Sequence, residues 1–454
     1  MFEPDAIPDD VLKILRRLQE AGHAAFVVGG SVRDLLLGRP PGDFDVATSA
    51  YPEVVLKIFG ARYAIPTGLQ HGTVTVLAGE PPTRRHVEVT TFRGEGAYLD
   101  GRRPSTVTFS ATLDEDLSRR DFTMNAIAYD PATGAVIDPF DGQGDIGRKI
   151  VRTVGDPVLR FSEDGLRPMR AVRQATQLAF TIEPATQAAI ARTLNSFRKV
   201  SAERIRDELR KLLLAPCPSQ GIEIMRQTGL LAEVLPELLP AVGCAQNRFH
   251  KHDVYSHILA TVDAAIPDFI VRMAALLHDL GKPRTQAPRE DSPGEFTFYR
   301  HEQAGTEMAE AIGLRLRLST AERNTICALV SGHMFFYRPD WTDGTVRRFV
   351  RRIGPDLVPL LFALREADIA SRGQGEDQQS ETRPLRERIE QVMVADAALR
   401  VTDLAIDGKD VMCFLNIPPS RRVGEVLEQL LEQVLDDPRL NNREALERMV
   451  RALG

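Results

Sequence analysis

Apolar and polar positions alternate with two different periods along this chain, and the change of period divides it. Residues 9 to 21 carry apolar residues at helical spacing and predict a lead-in helix. An apolar run from Ala24 to Val28 predicts a short buried strand that stops at Gly29-Gly30. Ser31 is placed to cap a helix of one or two turns, SVRDLLL, with Gly38 as its stop. After a Pro/Gly turn (Arg39 to Gly42), a second strand begins Asp43-Phe44-Asp45-Val46. Strand alternation points Asp43 and Asp45 one way, and Phe44 and Val46 into the core. Thr48 or Ser49 is expected to cap a helix ending at Gly60, followed by short strands around Thr73–Leu77 and His86–Thr91. A polar Gly/Pro-rich stretch, Arg93 to Ser105, has little to bury and reads as a mobile surface loop. From Ile146 to Leu213 the pattern turns helical, and it remains so to the C-terminus. Breaks fall at the Pro-flanked turn Ala215–Pro218, near Pro240, and at the polar linker RGQGEDQQSE.

The chemistry in the first strand–turn–helix–strand unit is specific. Two carboxylates on one strand face repel each other, a cost that divalent cations relieve, and oxygen-only ligation suits Mg²⁺. The Gly-Gly turn permits close backbone approach to a phosphate at a helix start, and Arg33 adds a cation nearby. A phosphate cradle beside paired carboxylates equips a chain for metal-assisted phosphoryl or nucleotidyl transfer. Glu88, alternating with Val87 and Val89, is a candidate third carboxylate.

Composition narrows the classes. At 454 residues the chain is long enough for several domains. No apolar run approaches a membrane span, the first residues are acidic rather than signal-like, and four scattered cysteines suit a reducing cytoplasm. The net charge of −6 hides a local excess: residues 146–213 hold 14 Lys/Arg against 7 Asp/Glu, hence +7, a footprint for polyanions.

The motif GGSVRDLLLG followed by DFD resembles the head signature of the tRNA nucleotidyltransferase and bacterial poly(A) polymerase family, and RRDFTMNA (119–126) resembles its second motif. The resemblance implies an α/β nucleotidyltransferase head followed by a mostly α-helical neck, HD body and tail. The corresponding spans are residues 1–145 (head), 146–214 (neck), 215–375 (HD body) and 376–454 (tRNA-binding tail). It implies that Asp43 and Asp45 hold catalytic Mg²⁺, that Gly29, Gly30 and Arg33 cradle nucleotide, and that Arg120 contacts phosphate while Asp121 and Asn125 hold the ribose. SEDGLRPMR resembles the family's nucleotide-recognition motif. Asp164, Arg167, Arg170 and Arg173 recur every third residue and would form one slanting helical strip. Asp164 and Arg167 would then read a base edge, and Arg170 and Arg173 would face the triphosphate. Pro168 lies inside that strip, so the helix either starts late or kinks. SAERIRDELRKLL (201–213) resembles the neck's last motif, and 408–410 with Pro418-Pro419 resembles the tRNA-packing tail. The implied activity is template-independent addition of CCA to tRNA from CTP and ATP. A-only addition, poly(A) synthesis, and an HD phosphohydrolase with an inert RNA-binding head remain open beside it.

Six histidines (250, 252, 257, 278, 301 and 333) fall in one region. Asp368 sits on the helical stripe Leu357, Leu361, Leu364, at a position that spacing assigns to the core. A buried carboxylate needs a partner, and imidazoles with carboxylates are the usual ligands of Zn, Mn, Fe or Ni. The order His257…His278-Asp279…Asp368 resembles the HD phosphohydrolase superfamily and implies a divalent metal site here, with His301 and His333 placed to complete a second metal position.

Overall fold

The structure, a computed structural model, describes residues 6–80, 82, 84–94, 112–246, 252–289, 292, 295–372, 377, 379–380, 382–393 and 399–453. Most of the expected loop 93–105, His250, and most of the polar linker after Arg372 lie outside the described residues. The chain forms two compact units, Met1–Pro236 and Glu237–Gly454.

The first unit is built on a seven-stranded sheet. Its strands are β1 (Ala25–Val28), β2 (Asp45–Thr48), β3 (Ala64–Gly68), β4 (Thr73–Ala78), β5 (Arg85–Thr91), β6 (Ala128–Asp130) and β7 (Ala135–Ile137), in the order β3-β4-β5-β2-β1-β6-β7. Only the β2–β5 pair within it is parallel, and its register sets Asp45 opposite Glu88. Val28, Ala47, Phe92, Leu117 and Ala128 close the core under β1, β2 and β6. β6 and β7 are too short to carry a readable period, and β3, AIPTG, contains Pro66 and does not alternate, so none of the three is expected from the sequence.

Two expected caps are corrected. Gly29 adopts φ +78° and is itself the residue before the helix Gly30–Leu36, so Ser31 lies inside the helix and its Oγ donates back to Val28 O at 3.0 Å. Gly38 ends that turn at φ +66°, as its type predicts. Thr48 belongs to β2, and its hydroxyl donates to Ala24 O at 2.7 Å; Ser49 Oγ accepts from Ala24 N at 2.9 Å. The helix Pro52–Phe59 instead opens with proline in its first turn, where a missing N–H costs little.

Helices Pro157–Glu163, Arg167–Leu178, Pro184–Arg192 and Ala202–Leu213 follow the sheet. Many of the cations of this segment are nevertheless paired, with carboxylates inside it and with Asp121, Asp145 and Glu233 outside it. Arg160 and Arg167 pair with Glu163, Arg173 with Glu208, Arg204 with Asp164, Arg198 with Glu233, and Arg148 and Arg152 with Asp145. Formal charge overstates what this segment offers a polyanion.

In the second unit, helices Val254–Ala264, Phe269–Leu277, His301–Arg315, Thr320–Gly332 and Val358–Ser371 carry the histidine cluster. Phe269–Leu277 buries all its residues but one, as an apolar run at the centre of a helical domain must. Gly281 permits the chain to pass against the next helix: a Cβ there would lie 2.0 Å from His301 O. The tail helix Arg421–Asp436 is held to Asp343–Ile353 by Arg348 and Arg351, which pair with Glu428, Glu432 and Asp436. Among the described residues no helix is long and apolar enough to cross a membrane, and the four cysteines are unbridged.

Candidate functional sites

Two separate clusters emerge, one in each unit. In the first, Phe44 and Val46 are buried while Asp43 is exposed and Asp45 half-buried, the alternation expected of the strand entry. Asp43 lies just before β2, and Asp45 is its first residue. Burial pushes the Asp45 carboxyl up to about 6; Arg120 opposes this, and Glu88 and Asp43 reinforce it. A carboxyl whose ionisation is opposed by burial is one whose charged form a nearby divalent cation would favour. The donor set of Asp43, Asp45 and Glu88 is all oxygen and fits Mg²⁺.

Asp45 and Glu88 line a cavity of about 290 Å³ whose other walls include Arg120, Asp121, Asp164, Arg167 and Arg170. Motifs more than a hundred residues apart in sequence therefore meet here. Gly29 is required by this approach as well as by its φ, because a Cβ would stand 3.0 Å from Arg120 Nη1 and 3.6 Å from Asp45 Oδ2. Its N–H donates to Ile127 O at 3.2 Å and is not free for a phosphate. Gly30 lies against the Arg33 guanidinium. Arg33 is corrected too. Its donors go to Asp34 at 2.7 and 2.9 Å and to Asn125 Oδ1 at 2.8 Å, so it braces the site rather than presenting an unpaired cation.

Asp121 is buried, accepts from Arg170 Nε at 2.8 Å, and receives Asn125 Nδ2 at 3.3 Å. Burial raises its carboxyl, but the charges of Arg170 and Arg167 win and hold it at about 2. Arg120 pairs with buried Asp116 at 3.1 Å while its own Nε is buried without a hydrogen-bond partner.

The expected strip of four does not form. Asp164 ends the helix before, in extended backbone, and the next helix begins at Arg167 with Pro168 in its first turn. The helix starts late, as one of the two alternatives had it. The Arg167 guanidinium turns away to Glu163 (2.5 Å), Arg160 O (2.8 Å) and Arg119 O (3.1 Å). Asp164 instead receives two hydrogen bonds from Arg204, at 2.8 and 3.0 Å. Arg173 lies behind the cavity wall, bonded to Glu208 and Gln177. Arg204, Glu163, Asp116 and Gln174 (3.1 Å from Asn125 Nδ2) are participants the sequence reading missed. Glu163 and Asp116 act on arginines three and four residues along the chain, whereas Arg204 and Gln174 act on partners forty and forty-nine residues away, which no local pattern announces.

In the second unit every clustered imidazole is oriented by its Nδ1. His278, His301 and His333 place Nδ1 at 2.8, 2.8 and 2.6 Å from the carbonyls of Ala275, Phe298 and Val330, and His257 Nδ1 is 3.0 Å from Ser371 Oγ. Nδ1–H donation to those oxygens leaves each Nε2 lone pair facing inward. His257, His278 and Asp368 form one buried triad, and Asp279, His301 and His333 a second. Asp279 joins them. Its Oδ2 is 3.3 and 3.2 Å from His257 and His278, and its Oδ1 is 3.4 Å from His301. The ligand set expected as His257, His278, Asp279 and Asp368 is thus divided, with Asp279 between two positions. Burial pushes the His333 imidazole down to about 3 and would raise Asp279, but His278 and Lys282 hold that carboxylate well below its usual range. Imidazole nitrogens with carboxylate oxygens are a donor set for divalent transition metals. The cluster opens on a cavity of about 490 Å³ that also reaches Lys282, Arg289, Arg365 and Arg372.

Comparison with known proteins finds a family match over each of the two clusters. The poly(A) polymerase head domain model matches residues 25–152, the probable RNA- and SrmB-binding site of polymerase A matches 179–242, and the HD domain matches 254–399. The CCA-adding enzyme of Lactobacillus gasseri is 51% identical over 224 residues, 49% of this chain and 54% of that protein. The CCA-adding enzyme of Geobacillus stearothermophilus is 48% identical over 223 residues, 49% and 54% of the two chains. The matched stretch thus spans about half the length of these curated relatives. The crystal structure of the Bacillus stearothermophilus CCA-adding enzyme in complex with CTP matches over 100% of this chain and 98% of that one, at 30% identity and a TM-score of 0.73.

Proposed function

The chain belongs to the tRNA nucleotidyltransferase and bacterial poly(A) polymerase family, and from that premise we propose that it adds C, C and A to the 3′ end of tRNA. CTP and ATP are the donors, pyrophosphate is released, and no nucleic-acid template is used. The observation that carries this reading is the meeting of Asp45 and Glu88 with Asp164 and Arg170 at one cavity. Asp43 and Asp45 would hold Mg²⁺, which when bound supplies activation of the RNA hydroxyl and offsets charge on the triphosphate. Arg120 and Arg170 face the phosphates, and Arg170 also fixes Asp121, which with Asn125 accepts and donates at the ribose. Asp164, oriented by Arg204, offers a fixed acceptor to a base edge. Arg167 shapes the wall, and Arg173 supports it through Glu208. Gly29 and Gly30 keep the turn low enough for substrate to lie against it. The test is sequencing of products from tRNA transcripts ending before, within and after CC. Completion to CCA and no further is expected; A-only products or runs of A refute the reading.

The inward set of four Nε2 atoms favours a second activity, phosphohydrolysis at the HD centre. Its residues would hold a divalent transition metal, which supplies a nucleophilic hydroxide when bound. Metal analysis of the purified chain, with hydrolysis of a chromogenic phosphate diester, tests it. Absence of both refutes it.

A further inference from the structure

Strand β5 carries its active-face row past the carboxylates. Alternation puts His86 on the same face as Glu88, with Arg84 just before the strand begins, and buried Val87 and Val89 mark the other face. Arg84, Arg85, His86 and Asp43 line a second cavity, of about 390 Å³, that shares no lining residue with the one at Asp45. Its cations have spare donors. Arg84 Nε is buried without a hydrogen-bond partner, and Arg84 Nη2 stands 3.6 Å from Glu80. Arg85 Nε is 3.5 Å from Asp10, on a side chain 47% exposed, and His86 is exposed. The neck arginines that line the first cavity, Arg167 and Arg170, differ, being paired with Glu163 and Asp121.

We propose that Arg84, Arg85 and His86 form a subsite for the sugar–phosphate backbone of the acceptor RNA, seating the last phosphodiester of its 3′ strand beside Asp43. This rests on the nucleotidyl-transfer reading above. In-line displacement puts the attacking hydroxyl and the leaving pyrophosphate on opposite sides of the reacting phosphorus. With the nucleotide's phosphates on the Arg120–Arg170 side, the attacking strand comes from the other side of the carboxylate pair, where this cavity lies. Contacts to phosphate alone carry no base information, which suits a site that must accept the ends of all tRNAs.

The experiment uses the full chain and a tRNA transcript ending before CC. Fluorescence anisotropy without divalent metal gives Kd between about 50 and 200 mM salt, and steady-state kinetics gives KM for tRNA, CTP and ATP. In Arg84→Ala/His86→Ala, tRNA Kd and KM are expected to rise about tenfold. The slope of log K against log salt should shrink by about 0.7 for each lost contact. Nucleotide KM should stay within about twofold, and Arg84→Lys should keep most of the affinity. A rise in CTP and ATP KM instead would assign the cavity to the triphosphate and overturn the proposal, as would unchanged tRNA affinity and slope. A wild-type chain that adds nothing to tRNA would refute the transfer reading, while the binding measurements would still decide the subsite.

Discussion

Asp45 is a group whose catalytic setting destabilises the fold, and the cost can be worked from its surroundings. Its carboxyl is pushed from 3.8 to about 6 by burial and by Glu88 and Asp43, net of the opposing Arg120. Below pH 3.8 both folded and unfolded chains hold the proton. Between there and about 6 the unfolded chain releases it and the folded chain keeps it, so stability falls as pH rises through that window. Above it the loss is complete, about 2 pH units at 1.36 kcal/mol each, or roughly 3 kcal/mol. Asp45→Asn keeps the shape and removes the charge. In EDTA at pH 7.5 the variant should therefore be more stable than the wild type by up to about 3 kcal/mol, with the gap closing toward pH 4. The same substitution should abolish addition of both C and A. Trp341, the single tryptophan, lies in the second unit, so fluorescence would not report the head. Hydrogen exchange of peptides covering β2 and β5 reads the opening free energy there directly. An Asp45→Asn head no more protected than wild type at pH 7.5, or a gap that does not change with pH, would refute the argument. Added Mg²⁺ should narrow the gap by stabilising the wild type alone.

Other expectations follow from the same contacts. Arg204→Ala frees the Asp164 carboxylate from a two-pronged partner and should cost about tenfold in kcat/KM discrimination of CTP over UTP; Arg173→Ala, behind the wall, should weaken all nucleotides alike. Unchanged selectivity in Arg204→Ala would place base reading elsewhere. His278→Ala with Asp279→Ala should remove metal from the second unit and any diesterase activity, leaving nucleotide addition within about threefold; loss of addition in a variant with native circular dichroism would contradict two independent sites. Gly29→Ala meets both a positive φ and the Arg120 guanidinium, so nucleotide addition should fall at least about tenfold, with CTP KM as the readout; wild-type kinetics would show that the turn can relax.

The alternation around Asp43 and Asp45, the glycine turn, a break of the helix at Pro168 and the acid on an apolar helical stripe were legible in the sequence. Each depends on backbone periodicity or on the stereochemistry of one residue type, and both act over a few positions. The motifs also made the two chemistries recognisable before any coordinates. Partner choice was not legible. Arg33, Arg167 and Arg173 read as cations for a ligand, yet besides near neighbours each donates to an acceptor far along the chain, Asn125, Arg119 O and Glu208 in turn. A guanidinium satisfies whichever acceptor lies within reach, and reach is a property of packing, not of spacing along the chain. The same reason hid Arg204, forty residues from the Asp164 it orients. It also hid the grouping of Asp279 with His301 and His333, because which side chains share a position depends on how five helices pack, and on Nδ1 bonds to carbonyls that no motif encodes.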